Sequence, residues 1–302
     1  MTNVKETLRF LLNRALAWGW SKVGHVFGEK AYLQVRFRLL MGRKLDLKNP
    51  TTFSEKMQWL KLYDRRPEYS KLVDKFTVKE YVASIIGNEY IIPTLGVWAK
   101  PEDIEWDKLP NKFVLKTTNG AGSSGVIICK NKNVFDRKGA IRRLNKNIKY
   151  SDWRIQMEWP YKNVVPRIIA EQYIEPLPEL KDLPDYKFFC FNGEPKYCQV
   201  ISGRDKRMCI DFFDLDWNHM PFHEPRDYPF ADAEPERPEN LEKMSKLSSL
   251  LAVNKPFSRI DFYDVGSHVY FGEITFYPTG GIGGFDPEEY DHIFGNLIHL
   301  PS

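Results

Sequence analysis

The feature that most constrains this chain is a pair of alternating strands within residues 258–281, SRIDFYDVGSHVYFGEITFYPTGG. If Ser267 is the centre of a hairpin, residues that are equally far from it along the chain lie opposite each other. The polar residues then form two opposed pairs: Asp261 with Glu273, and Arg259 with Thr275. Side chains alternate along a strand, so all four would project from one face of a sheet. The pattern therefore predicts a polar cluster on an otherwise apolar hairpin.

Two residues of this cluster form a candidate metal site. Carboxylates directly opposite each other on a sheet repel unless a cation lies between them. Hard oxygen ligands suit Mg²⁺, which takes one or two carboxylates together with phosphate oxygens. Asp261 and Glu273 therefore predict a magnesium site. The alternative is an ion network of these two carboxylates with Arg259 and without a metal.

A glycine-rich loop within residues 112–130, KFVLKTTNGAGSSGVIICK, is a candidate phosphate site. It follows a predicted strand that carries Lys116. The small residues of the loop are Gly120, Gly122, Ser123 and Ser124. Glycines let backbone N–H groups close around phosphate oxygens, and a nearby lysine supplies compensating charge. A Walker A loop is excluded because no Gly-Lys-Ser/Thr is present. On this segment alone, a hairpin turn without a ligand is an equal alternative.

Two further segments carry charges on predicted strands. In IIAEQYIE, a strand ends at Glu171 and runs into a turn through Tyr173 and Ile174, whose backbone groups could bind the edge of a purine. In DYKFFCFNGEP, Asp185 and Lys187 share one face at the start of a strand. By themselves these are ordinary charges of edge strands.

The composition excludes several classes of protein. Of the 302 residues, 42% are hydrophobic and 14% aromatic, which is too apolar for a disordered chain. The four cysteines have no disulfide-framework or metal-site spacing, which favours reduced thiols and a cytoplasmic protein. The sequence has no run of eighteen apolar residues, so no transmembrane helix is predicted. Its start also lacks the pattern of a signal peptide.

Positive charge is concentrated at the start of the chain. Residues 1–45 hold nine Lys and Arg and two Glu, a local balance of +7, whereas the whole chain carries +4. The other 257 residues therefore sum to −3. Residues 4–20 have apolar side chains at helical spacing, which predicts a basic amphipathic helix. Such a helix would lie on an anionic membrane, or pack on the protein with a solvated basic face.

The periodicity along the chain predicts an α+β fold, with a helical basic N-terminal region at 1–70 and a mixed region at 71–302. The predicted helices lie at 4–20, 30–42, 51–62, 71–86, 136–150 and 239–252. Thr51 or Thr52 would cap the third of them. The predicted strands lie at 90–92, 112–116, 125–129, 168–172, 186–191, 195–201, 208–213, 258–263 and 269–275. Residues 221–238, rich in proline and charge, are predicted to form a surface loop.

The order of these segments over roughly residues 71–285 resembles that of ATP-grasp enzymes, in which a nucleotide lies between two α+β subdomains. More specifically, the sequence is similar to the TupA-like (teichuronopeptide-biosynthesis-like) branch of that family. Four segments carry the resemblance: TFSEKMQWLKLYDRR (52–66), DKFTVKEYVASIIG (74–87), DYKFFCFNGEP (185–195) and FGEITFYPTGG (271–281). It implies a nucleotide-binding lid at about 111–180 and a metal-binding subdomain at about 185–302.

The resemblance also implies ATP and Mg²⁺ as cofactors, with a role for each candidate residue. Lys75, Lys116 and the loop at 120–125 would bind the phosphates of the nucleotide. Glu171, Tyr173 and Ile174 would bind its adenine. Asp185, beside Lys187, would bind its ribose.

The remaining matched residues belong to the metal and the transferred phosphate. Asp261 and Glu273 match the metal-binding carboxylates, and Arg259 matches the arginine near the transferred phosphate. Thr275 departs from the asparagine that the family usually has as a third metal ligand. This departure leaves a weaker oxygen ligand, so one metal ion is expected as readily as two.

The implied reaction is an ATP-dependent carboxylate–amine ligation through an acyl phosphate. Arg259, Lys116 and Arg204 would make the catalytic contacts. Arg204 and Lys206 lie in a turn that is equally well a solvated basic turn. Family members are associated with bacterial cell-surface polysaccharides. The expected partners are therefore a uronic acid of such a glycan and an amino acid or other amine.

Three alternatives stay open at this point. An ATP-grasp kinase would transfer phosphate to a glycan or small molecule from the same nucleotide site. A glycosyltransferase would need a DxD motif, and the sequence offers Asp214-Leu215-Asp216. A nucleotide-binding scaffold without catalysis would be consistent with Thr275. The basic region at 1–45 would hold an anionic glycan or bind the inner face of the cytoplasmic membrane, and no nucleic acid is expected as a partner.

Overall fold

The computed structural model describes residues 15, 19, 28–120, 124–149, 152–178, 180, 183–204, 207–225 and 227–301. Apart from positions 15 and 19, the amphipathic helix predicted at 4–20 lies outside the described residues. Within the described part of the chain, no helix has both the length and the apolar character of a membrane span.

The described residues form eight α-helices. They are α1 (28–41), α2 (Phe53–Tyr63), α3 (Tyr69–Val73), α4 (Thr77–Ile86), α5 (Arg137–Ile148), α6 (Asp152–Gln156), α7 (Leu241–Ala252) and α8 (Glu289–Asn296). Of the two threonines predicted to cap α2, Thr52 does so. Its hydroxyl accepts from the backbone N–H of Glu55, and the Glu55 carboxylate accepts in return from the N–H of Thr52, both at 3.2 Å. This reciprocal capping fixes the start of the helix.

In the described part of the chain, nine strands form two antiparallel sheets, which confirms the predicted α+β class. The small sheet has the order β1-β4-β2-β3, with β1 (Thr94–Trp98), β2 (Phe113–Thr117), β3 (Val126–Cys129) and β4 (Ile168–Gln172). The large sheet has the order β7-β6-β5-β8-β9, with β5 (Asp185–Phe191), β6 (Glu194–Ser202), β7 (Cys209–Asp214), β8 (Phe257–Asp264) and β9 (Val269–Thr275).

The prediction of one continuous helix over 71–86 is wrong at residues 74–76. Asp74 is extended (φ −75°, ψ 113°), and its carboxylate accepts hydrogen bonds from the backbone N–H groups of Phe76 (2.8 Å) and Thr77 (3.4 Å). An aspartate that caps a new helix in this way cannot also continue the preceding one. The break brings the N–H of Lys75 to the carbonyl of Thr118, just past β2 (3.4 Å).

The strand predicted at 90–92 is also misplaced. Residues 88–90 form a short 3₁₀ turn, and the strand begins at Thr94, after Pro93. The apolar pair Ile91-Ile92 suggested a strand, but Pro93 fixes its own φ and lacks an N–H donor. The strand β1 therefore starts one residue beyond it, and within the predicted segment Ile91 forms only an isolated parallel bridge with Phe271.

One face of the large sheet is divided into an aromatic half and a polar half. Phe189 of β5 lies opposite Arg259 of β8, so the two share a face. Towards the Phe191 end of β5, that face is covered by α2 and α8, and Phe294 of α8 is completely buried. Its ring packs edge-on against Phe53 (6.0 Å between centroids), Phe189 (6.1 Å) and Phe191 (5.4 Å). The aromatic half anchors the helices and leaves the other half for charged residues.

The small sheet has its own apolar core beneath α5. Ala140 and Leu144 of the helix are buried with Phe113, Leu115 and Ile127 of the strands. This core is separate from that of the large sheet, so the two sheets are stabilised independently by apolar burial.

We expect Phe294→Ala to lower the free energy of unfolding by about 3–5 kcal/mol, because it removes a fully buried ring and leaves a cavity among aromatic neighbours. The matched control is Ile293→Ala, which truncates the adjacent side chain, 40% exposed, and should cost less than about 1 kcal/mol. Urea denaturation of both variants measures the difference. Equal losses would contradict the account of the aromatic half.

Candidate active site

The β8–β9 ladder has the predicted register at the polar end. Asp261 pairs with Glu273 and Arg259 pairs with Thr275. Between Asp261 and Phe262 the register shifts by one residue, because Gly272 forms a bulge in β9. A Cβ at Gly272 would lie 3.1 Å from the carbonyl oxygen of Asp261, so a side chain there would crowd the backbone of β8. Pairs nearer the turn are therefore displaced by one residue from the predicted hairpin register.

Arg259 ties the four polar residues of the hairpin together. Its guanidinium forms a two-pronged ion pair with Asp261, with both N–O distances at 2.8 Å. One nitrogen also contacts Glu273 Oε1 and Thr275 Oγ1, each at 3.2 Å. On the neighbouring strand β5, Lys187 forms a close ion pair with Asp261. Two cations thus balance the opposed carboxylates.

The two carboxylates of the pair differ in how easily they ionise. Burial alone would raise the pKa of Glu273, but the charges of Lys75 and Lys187 outweigh it and hold that pKa well below its ordinary value. The pKa of Asp261 is raised, because its burial is not fully offset by Arg259 and Lys187 and because Glu273 is adjacent. Glu273 is therefore the carboxylate held firmly in the anionic form.

Lys75 connects the two sheets. Its Nζ lies 3.5 Å from Glu273 Oε2 on the large sheet and donates to the carbonyl of Gly120, at the start of the glycine-rich loop, at 2.6 Å. The break between α3 and α4 makes this reach possible, because Lys75 lies outside both helices. Lys75 therefore joins the phosphate loop to the candidate metal site.

Lys116 and Glu171 meet on the small sheet, where a second lysine joins them. Glu171 is buried, and its two oxygens contact Lys116 (2.6 Å) and Lys79 of α4 (2.5 Å). Burial would raise the pKa of Glu171, but these two lysines outweigh it and lower that pKa. Lys79 was not predicted as a site residue. Its position one helical turn after Lys75 was the available signal.

Asp185 is paired as the shared face of β5 predicts. It forms a close ion pair with Arg204 and lies 3.5 Å from Lys187. Burial would raise the pKa of Asp185, but the charges of Lys187 and Arg204 outweigh burial, so this pKa is lowered. Arg204 therefore belongs to the charged cluster rather than to a solvated turn. Lys206 lies outside the described residues.

The predicted loop and hinge residues are only partly described. Gly122 and Ser123 lie outside the described residues. Gly120 accepts from Lys75, and the carbonyl of Ser124 accepts from Arg143 Nε at 2.9 Å. Tyr173 and Ile174 follow the last paired residue of β4, and Lys112 lies over the ring of Tyr173, 5.9 Å from its centroid.

A buried glutamate beside the site was missed. Gln199 pairs with Lys187 across the large sheet, and its amide donates to the carbonyl of Glu224 at 2.9 Å. The Glu224 carboxylate, itself buried, accepts from Thr279 Oγ1 at 3.2 Å. Burial raises the pKa of Glu224 to about 7. The prediction that 221–238 is a surface loop is therefore wrong for Glu224, and also for Phe222, which is fully buried.

The loop that follows β9 has an unusual backbone and is held by α2. Thr279, Gly280 and Gly281 have positive φ angles of 51°, 63° and 64°. The fully buried Lys61 donates to the carbonyl of Gly280 at 2.6 Å, and Gln58 donates to the carbonyls of Gly280 (3.2 Å) and Gly281 (3.0 Å). The segment TFSEKMQWLKLYDRR thus fixes the loop next to the candidate metal residues.

The residues present fit a magnesium ion. Asp261 and Glu273 lie directly opposite each other, Thr275 adds a hydroxyl, and all three offer the hard oxygens that Mg²⁺ prefers. Among the described residues, no three His, Cys, Asp or Glu side chains come together as a metal site. A magnesium ion here would be held by a carboxylate pair, with its other positions left for phosphate oxygens and water.

We expect the free energy of unfolding to fall as the pH rises from about 4.5 to 7, because folding raises the pKa of Glu224 and the folded protein therefore binds more protons in that window. Glu224→Gln should remove about 2–3 kcal/mol of the difference in stability between pH 5 and pH 8. Urea denaturation of both proteins at the two pH values measures it, and the other titrating groups cancel in the comparison. Identical pH dependences would contradict the assignment.

Comparison with known proteins identifies the family of this chain. A family model described as TupA-like ATPgrasp matches residues 55–299. A search of curated proteins gave no match. Among solved structures, D-alanine-D-alanine ligase from Helicobacter pylori is 15% identical with a TM-score of 0.44, over 82% of this chain and 69% of that one.

Two further solved structures are similar. D-alanine–D-alanine ligase from Bacillus anthracis, complexed with ATP, is 17% identical with a TM-score of 0.38, over 68% of this chain and 53% of that one. A RimK domain ATP-grasp protein from Sphaerobacter thermophilus is 9% identical with a TM-score of 0.41, over 78% and 70%. The family model covers most of the chain, and it decides the assignment: this chain belongs to the TupA-like ATP-grasp family.

Proposed function

We propose that this chain joins an amine or amino acid to the carboxylate of a uronic acid in a bacterial cell-surface polysaccharide, at the expense of ATP. The observation that carries the proposal is the arrangement of cations around paired carboxylates where the two sheets meet. These cations are Lys75, Lys79, Lys116, Lys187, Arg204 and Arg259. Such a cluster suits a ligand with several negative charges, as a nucleoside triphosphate and a carboxylate together provide.

The nucleotide phosphates would lie between the sheets. Lys116 of the small sheet interacts electrostatically with both Glu273 and Asp185 of the large sheet, so its charge reaches the junction from the other side. Lys75 joins the glycine-rich loop to Glu273. A magnesium ion held by Asp261, Glu273 and Thr275 would neutralise charge on the phosphate oxygens.

The proposed chemistry needs position and charge rather than a nucleophile from the protein. A carboxylate oxygen of the acceptor attacks the γ-phosphorus, the bond to ADP breaks, and an acyl phosphate forms. The amine nitrogen then attacks the acyl carbon, the carbon–oxygen bond breaks, and phosphate leaves with that oxygen while the amine loses a proton. Arg259 and Arg204 are placed to bind the anionic groups that change during these steps.

Two observations disfavour other chemistries. Burial raises the pKa of the Cys190 and Cys198 thiols, which makes them poor nucleophiles. The Asp214-Leu215-Asp216 string offers no free metal ligand at Asp214. Its carboxylate accepts from the backbone N–H groups of Asp216 (3.0 Å) and Asn218 (2.8 Å) and so closes the turn after β7. The glycosyltransferase alternative therefore lacks the metal-binding DxD motif that it needs.

Glu273→Gln should lower amine-dependent ADP release at least about 1,000-fold, because it removes a metal-binding charge without changing the shape of the side chain. The assay is ADP release with glucuronate or galacturonate and a panel of amino acids. The matched control is Glu194→Gln, an exposed residue at the far end of β6, which should retain full activity.

Two outcomes would contradict the proposal. Turnover that survives Glu273→Gln would show that the metal residues are wrongly assigned. ADP release without any need for an amine, together with a stable phosphoester product, would identify a kinase instead.

A further inference from the structure

A second strongly basic segment lies within the small-sheet region. Residues 130–149 contain eight Lys and Arg against one acidic residue, Asp136, a balance of +7 in only twenty residues. Together with residues 1–45, this segment leaves a net charge of −10 on the other 237 residues. The positive charge of the chain is therefore concentrated in two segments, and the second of them lies next to the small sheet.

Helix α5 displays this charge on one side. Its two buried residues face the small-sheet core, whereas Lys138, Arg142 and Lys146 are exposed at intervals of four residues. Side chains at that spacing are neighbours about 5–6 Å apart, and like charges there destabilise a helix. Lys138 and Lys146 form no ion pair with the described residues, and Arg142 approaches Asp136 only at 3.9 Å. A ligand with repeated negative charge would relieve this repulsion.

A groove of about 440 Å³ runs beside the exposed face of α5. Its apolar lining includes Ile127, Phe135 and Ala140, its cationic lining includes Lys130 and Arg143, and Asp136 is its one acidic lining residue. The groove thus combines apolar contact area with positive charge.

The rim of the groove is also apolar. Val134, 81% exposed, is the most exposed of the large hydrophobic side chains in the described part of the chain. We call this groove, with the exposed face of α5, the lid groove.

The lid groove is joined to the candidate active site through the glycine-rich loop. Arg143 of α5 donates to the carbonyl of Ser124 at one end of that loop. At the other end, Asn119 donates to the carbonyl of Ile148, the last residue of α5, at 3.0 Å. Helix α5 therefore contacts both ends of the glycine-rich loop, and the groove lies on the face of the small sheet opposite Lys116, because Ile127 pairs with Leu115.

We propose that the lid groove binds a segment of an acidic polysaccharide chain, with carboxylates on the cations of α5 and the C–H faces of the sugar rings on Val134. The groove would hold the polymer beside the glycine-rich loop, and another stretch of the same polymer would reach the candidate active site around β3, the edge strand of the small sheet. The identification of this polymer as the acceptor rests on the proposed function; the binding itself does not.

Two other polyanionic partners fit less well. The exposed face of α5 has no aromatic or large apolar residues, which a helix needs to insert into a bilayer surface. Single-stranded nucleic acids stack their bases on available aromatic rings. The one ring in the groove, Phe135, already packs against Trp106 (5.9 Å between centroids) and Phe113 (5.5 Å).

The test is the binding of the full chain to polygalacturonate by isothermal titration calorimetry at low salt, without nucleotide. The variant K138E/R142E/K146E should weaken binding about 30-fold, because three charges near an anionic surface are reversed. The matched control, K48E/K71E/K246E, makes the same change in net charge at exposed lysines elsewhere and should alter binding less than about threefold. Val134→Ser should weaken binding several-fold without any change in charge.

Equal losses in the two triple variants would overturn the proposal, since binding would then follow net charge alone. Preferential binding of phosphatidylglycerol vesicles would overturn it in favour of a membrane surface, and preferential binding of a single-stranded oligonucleotide in favour of a nucleic acid. Because no ATP is present, a failed ligase assay would leave the result unchanged, and the two proposals fail separately.

Discussion

The structure depends on the balance of buried charge where the two sheets meet. Asp261 is 2% exposed, and an isolated ion at that depth is strongly disfavoured. Arg259 and Lys187 compensate it, and Lys75 reaches across to Glu273 beside it. Each cation comes from a different segment of the chain, so the carboxylate pair determines which segments must converge. A ligand that carries its own negative charge would take over these cations and free the carboxylates for a metal.

The same sheet face supplies both stability and chemistry. Its aromatic half buries Phe53 and Phe294 and fixes α2 and α8. Helix α2 then extends from the aromatic half to the polar half, where Gln58 and Lys61 hold the loop after β9. The backbone of that loop costs energy, because Thr279 is a β-branched residue at positive φ. The packing of α2 therefore supports a strained loop beside the charged cluster.

Sequence reasoning predicted the parts of the site that depend on strand alternation. The opposition of Asp261 and Glu273 followed from a period of two, which holds wherever one face of a hairpin is buried. Sequence reasoning could not predict the bulge at Gly272, because one extra residue in a strand leaves the local pattern intact. The break at Asp74 was missed because the apolar spacing continues through it. Glu224 was missed because its burial results from long-range contacts with Gln199 and Thr279. The glycine-rich loop and the hinge remain predictions of ligand contact.

In the proposed ligation, a carboxylate of the substrate attacks ATP and one of its oxygens leaves with the phosphate. The most direct test uses a uronic acid labelled with ¹⁸O in both carboxylate oxygens, incubated with the protein, ATP, Mg²⁺ and a panel of amino acids. If the acyl phosphate forms, each molecule of released inorganic phosphate should contain one ¹⁸O atom, which mass spectrometry measures. Consumption of ATP with unlabelled phosphate, and with both labelled oxygens retained in the uronic acid, would contradict the proposed ligation.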